Sequence, residues 1–86
     1  MSDREVVVLS GVRTAIGDYG GTLKGHSPAD LAAACVKEAV SRAGVDAGDV
    51  GHCVFGNVIH TENTDMYLSR VAAINGGLPV ETPAFT

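Results

Sequence analysis

Three short apolar runs alternate with two helical patterns along this chain, and that order limits its fold more than composition does. Residues 5–10 (E-V-V-V-L-S) and 52–59 (H-C-V-F-G-N-V-I) are apolar and β-branched without alternation, the pattern of strands covered on both faces. Residues 79–86, P-V-E-T-P-A-F-T, lead between prolines into a third run. Parallel strands need long crossovers, usually helices, and these crossovers are right-handed. The predicted order is therefore β-α-β-α-β, with three parallel strands in one sheet. The third strand is only starting at Thr86, so the expectation is the opening of a larger α/β enzyme, cut before its chemistry.

The first helix has the clearer boundaries. Ser27 can cap it, Pro28 suits its first turn, and Asp30 completes an S-x-x-D box. Leu31, Cys35, Val36, Ala39, Val40 and Ala43 fall on one stripe, opposite Lys37, Glu38, Ser41 and Arg42, and Gly44 stops the helix. A helix over 28–43 is about 24 Å long, enough to run the length of a sheet. The second helix is predicted over 65–75, with Tyr67, Val71, Ile74 and Leu78 on one face and Leu68 and Ala72 beside them. Gly76, Gly77 and Pro79 end it. A long glycine-punctuated loop occupies 12–26, and residues 45–51 form a turn.

Composition excludes several function classes. With 86 residues the chain is one small domain or half of a larger one. Its net charge is −4 and its basic residues are scattered, which argues against a nucleic-acid surface. No apolar run approaches the roughly 20 residues needed to cross a bilayer, and no signal-peptide pattern is present. Cys35 and Cys53 lack C-x-x-C spacing and read as reduced core thiols of a cytoplasmic protein.

Individual residues do not reach a reaction. The stretch 17–25 is rich in glycine but lacks a phosphate-loop spacing, and Asp18 would repel an anion. His60 and Glu62 stand at a strand exit, where open α/β sheets bind ligands, and a His–carboxylate pair can act as a general base. The plainer reading is two residues of a polar loop. His52 and Cys53 are adjacent in a strand, so their side chains point to opposite faces. Arg13 can bind an anion or order its own loop. The histidines and cysteines show no metal-ligand spacing.

Taken together, the motifs say more. V-L-S-G-V-R-T-A-I-G at 8–17, G-G-T-L at 20–23, G-N-V at 56–58, S-R-V-A-A at 69–73, G-L-P at 77–79 and P-A-F-T at 83–86 resemble the N-terminal end of the thiolases. The resemblance spans nearly the whole chain, in order. It implies that 1–86 is the N-terminal part of the thiolase N-terminal domain, the first β-α-β-α-β of an αβα half. It implies an acyl-CoA:acetyl-CoA C-acyltransferase of fatty acid metabolism that uses a cysteine acyl-enzyme. Such an enzyme condenses acetyl-CoA with acyl-CoA, or runs in reverse as thiolysis of 3-oxoacyl-CoA. CoA thioesters are the substrates, and no tightly bound cofactor is implied.

In thiolases the nucleophilic cysteine follows P-A-x-T within a few residues. No catalytic, cofactor-binding or metal-binding residue therefore transfers to this chain, and neither Cys35 nor Cys53 matches the nucleophile. The text at 63–67, N-T-D-M-Y, departs from the small residues many thiolases carry there. The resemblance also implies a homo-oligomer, a dimer or tetramer, paired through the strand near Phe85.

Two alternatives share the pattern. One is a condensing enzyme of the ketoacyl synthase or HMG-CoA synthase type, which R-T-A-I-G fits less well. The other is a small non-catalytic α/β binding module, whose third strand would end on an exposed edge. On the thiolase reading the isolated 86-residue chain is inactive and incompletely folded, because half a sheet leaves apolar faces uncovered. Acetoacetyl-CoA cleavage by the isolated chain should match buffer, and its thermal melt should lack a sharp transition. Turnover abolished by substituting Cys35 or Cys53 would overturn this expectation.

Overall fold

In a computed structural model, residues 4–86 are described, and the order is helix, strand, helix, strand. Helix α1 spans Pro28–Ala43. The Ser27 hydroxyl accepts the Asp30 N–H at 3.1 Å, and Gly44 closes the helix in the left-handed region at φ 71°. Glycine has no Cβ to clash there, so this end needs it. Both boundaries agree with the S-P-A-D…G pattern. The turn over 45–51 contains a short 3-10 helix, Ala47–Asp49.

Strand β1 is Cys53–Val54, and β2 is Ala84–Phe85. They pair in parallel, Cys53 opposite Ala84 and Val54 opposite Phe85. Ladder bonds run from Cys53 N–H to Pro83 O (2.9 Å) and from Phe55 N–H to Phe85 O (3.3 Å). Helix α2, Leu68–Asn75, makes the crossover between them. The parallel α/β arrangement matches expectation, and β1 is shorter than 52–59, paired only where β2 lies opposite it.

The strand expected over 5–10 does not form. Those residues are extended without a ladder partner among the described residues, and Val6 and Val8 are 88% and 91% exposed. A strand exists through its pairing, and an apolar β-branched sequence cannot supply the partner's donors and acceptors itself. The run is tied down at its end, where the Ser10 hydroxyl donates to Ala39 O on α1 at 2.8 Å.

The second helix also starts later than 65. Residues Asn63–Tyr67 form a 3-10 helix, and Tyr67 leaves helical geometry at φ −119°, ψ 33°. The cause is local: the Asp65 side chain folds back onto Thr61 and Glu62, and such side-chain bonds compete with α-helical ones. The buried face is turned from the one expected. Leu68, Ser69, Ala72 and Ala73 are buried, whereas Tyr67 and Ile74 are exposed.

The rotation follows from α2 being covered on two sides. Leu68 and Ala72 pack with Ala29 and Ala32 of α1, while Ala73 and Leu78 pack with Cys53 of the sheet. Small residues let the helices approach closely. A Cβ added at Gly76 would stand 2.7 Å from the Val36 Cβ, well inside contact distance.

Replacing Ser27 with Ala should cost about 1 kcal/mol, because the Asp30 N–H loses its acceptor. Urea denaturation of the complete protein should show a lower midpoint with an unchanged slope. An unaltered midpoint would show that the cap contributes nothing.

Candidate functional site

Because β1 and β2 run parallel, both deliver their carboxyl ends to the same edge. Open α/β sheets bind ligands outside that edge. Here it is formed by residues 55–65 after β1, by Thr86 after β2, and by the first turn of α2.

Ser69 ties these parts together. It is fully buried, and its hydroxyl donates to Cys53 O at 2.9 Å. Its N–H donates to Thr86 Oγ1 at 3.1 Å, and the Cys53 thiol lies 3.9 Å from Ser69 O. One turn earlier stands Asp65, also fully buried. Its Oδ2 accepts from Thr61 N–H (2.8 Å), Thr61 Oγ1 (2.9 Å) and Glu62 N–H (3.0 Å). The Thr61 N–H holds the carboxyl below its ordinary value of 3.8. Burial opposes this, while the Thr61 hydroxyl, the Glu62 N–H and the nearby His60 add to it.

The sequence candidates settle as follows. His60 does not pair with Glu62; its Nδ1 lies 2.9 Å from Asn57 Nδ2, and Glu62 offers its N–H to Asp65 instead. The His–carboxylate base is therefore not assembled. His52 and Cys53 do point apart: Cys53 is buried, and His52 lies against Phe85 with ring centroids 5.1 Å apart. Arg13 donates to Thr14 O at 3.0 Å, which orders its own loop. Glu38 pairs with Arg42 at 2.9 Å on an exposed helix face.

Arg13 and Arg42 line an open groove of about 680 Å³ with residues 11–15, which shares no residue with the carboxyl edge. Among the described residues no three His, Cys, Asp or Glu side chains gather, and no helix is long and apolar enough to cross a membrane. Sequence reasoning missed Asp65 and Ser69. Their signal was weak: Asp65 lies in the 3-10 segment and Ser69 in α2, so no single helical spacing joins them.

The family model for the thiolase N-terminal domain matches residues 6–86. The chain belongs to the thiolase family. It is 64% identical over 83 residues to the beta-ketothiolase BktB of Cupriavidus necator, covering 96% of this chain and 21% of that protein. An acetyl-CoA acetyltransferase of Clostridioides difficile is 37% identical over 83 residues, 96% of this chain and 77% of the relative. The human mitochondrial 3-ketoacyl-CoA thiolase is also 37% identical, over 96% of this chain and 21% of its own length. The chain thus spans about a fifth of the first relatives it matches. In this thiolase segment the P-A-F-T motif is β2 with its flanking residues, and S-R-V-A-A lies within α2.

The Asp65 carboxylate favours the folded state most where it is ionised. Its folded pKa is depressed, so its contribution is complete above the unfolded value near 4 and is lost as pH falls through the folded value. Asp65→Asn in the complete protein should lower the denaturation midpoint at neutral pH. The difference from wild type should shrink as pH drops below about 4. A difference independent of pH would contradict this.

Proposed function

We propose that the complete protein is an acyl-CoA:acetyl-CoA C-acyltransferase of fatty acid metabolism, cytoplasmic, and a dimer or tetramer. The observation that carries this reading is the 64% identity to a beta-ketothiolase over 96% of the chain. The acetyl-CoA acetyltransferase and 3-ketoacyl-CoA thiolase names of other relatives support the same reaction class.

In this reading a cysteine thiolate following Thr86 attacks the thioester carbonyl of an acyl-CoA. The bond from carbonyl carbon to CoA sulfur breaks, and CoA leaves as its thiol after taking up a proton. A second acetyl-CoA loses a proton from its methyl group. The resulting carbanion attacks the acyl-enzyme, forming a carbon–carbon bond and returning the cysteine thiolate. The covalent intermediate divides one difficult step into two. Oxyanion donors elsewhere in the protein stabilise the charge that develops on the thioester oxygens.

Residues 1–86 supply the scaffold, with no nucleophile, base or acid among them and no cofactor or metal ligand. Supporting that role, β2 leads to the carboxyl edge, and Ser69 holds Thr86 at the start of α2. The exposed side of β2 is proposed as the contact with a second copy. Phe85 is 57% exposed, and no acidic or basic residue stands from 82 to 86.

With acetoacetyl-CoA and CoA, the complete enzyme should yield acetyl-CoA. Peptide mass spectrometry should place the acetyl group on a cysteine downstream of Thr86; an adduct on Cys35 or Cys53 would overturn the assignment. Phe85→Asp should shift the oligomer to smaller species by light scattering and reduce activity with it. Unchanged assembly would remove β2 from the interface.

A further inference from the structure

The loop between β1 and α2 is more firmly built than a crossover requires. A helix start is served by one side-chain acceptor. Asp65 instead accepts three hydrogen bonds on Oδ2, while its own carbonyl receives Asn57 Nδ2 at 3.2 Å. Its second oxygen, Oδ1, is buried without a donor. Loop residues 61 and 62 are thereby fixed to the buried carboxylate, and residue 57 to the backbone carbonyl of the same residue.

The same bonds set the chemistry of His60. Asn57 Nδ2 stands between two acceptors, the Asp65 carbonyl at 3.2 Å and His60 Nδ1 at 2.9 Å. A carbonyl cannot donate, so the Asn57 nitrogen faces it, and that nitrogen can only donate to the ring as well. His60 Nδ1 is therefore the acceptor, and the neutral imidazole carries its proton on Nε2. His60 is exposed. The loop thus offers a free N–H donor beside the edge to which Thr86 is bonded through Ser69.

We propose that Asp65 is a positioning residue, holding the loop so that His60 Nε2–H donates to a carbonyl oxygen of the CoA thioester substrate. This rests on the acyltransferase reading and assigns it a substrate contact within residues 1–86. An N–H donor suits an acceptor such as a thioester or amide carbonyl, and Asn57 keeps the donor on the outward nitrogen.

The test uses the complete enzyme in the thiolysis direction, varying 3-oxoacyl-CoA and CoA separately. His60→Ala, at an exposed position, should raise KM about fivefold with little change in kcat, as expected for one lost hydrogen bond made equally in ground and transition states. His60→Gln, which keeps a donor, should recover part of the loss. Asp65→Asn should show the same KM defect, and nitrogen NMR of its His60 should lose the preference for the Nε2–H tautomer. A rise confined to 3-oxoacyl-CoA places the acceptor in the acyl portion, and a rise for both substrates places it in the pantetheine arm. An unchanged KM in His60→Ala overturns the proposal. If the wild-type enzyme shows no turnover, the acyltransferase reading fails, and equilibrium binding of acetyl-CoA decides the contact. Weaker binding by His60→Ala upholds it, whereas equal affinity, or binding by neither protein, overturns it.

Discussion

The hydroxyl of Ser69 is the interaction on which the rest of the fold depends. A buried hydroxyl without a partner is costly. Cys53 O supplies the partner. The Ser69 N–H belongs to the first turn of α2, whose N–H groups have no helical acceptor, and Thr86 Oγ1 fills that vacancy. One residue therefore answers two demands from two strands. It fixes how α2 sits on the sheet, and with it the start of the loop that Asp65 organises.

The second constraint is closeness. Ala29, Ala32, Ala72 and Gly76 leave little side-chain volume between the helices, and the Val36 side chain of α1 packs directly against Gly76. Small residues bury little apolar area each, so stability here comes from fit more than from side-chain size. The two larger side chains in this region act at its margins. Leu68 fills the α1 side, and Leu78 fills the sheet side.

Where the local sequence determined local structure, it could be read directly. Ser27, Pro28, Asp30 and Gly44 define α1 because a cap and a left-handed glycine act within one turn. The parallel pairing of β1 and β2 followed from the helix between them. The apolar faces were less legible. The α2 pattern marks Tyr67 and Ile74 as readily as Leu68 and Ala72, and only the position of α1 decides between them. The run at 5–10 has a strand composition, but pairing depends on residues remote in sequence. The polar edge was nearly invisible. Asp65 reads as an ordinary helix-starting acid until Thr61, Glu62 and Asn57 are seen converging on it.

The exposed run of Val6, Val7, Val8 and Leu9 has a consequence for association. Its backbone has no ladder partner among the described residues. Short apolar β-branched stretches with free ladder groups are templates for cross-β association. Arg4 and Glu5 place charges on one flank and Ser10 anchors the other to α1, the positions where gatekeeper residues limit such association. Pairing of this run requires a partner strand's donors and acceptors, which no described residue supplies.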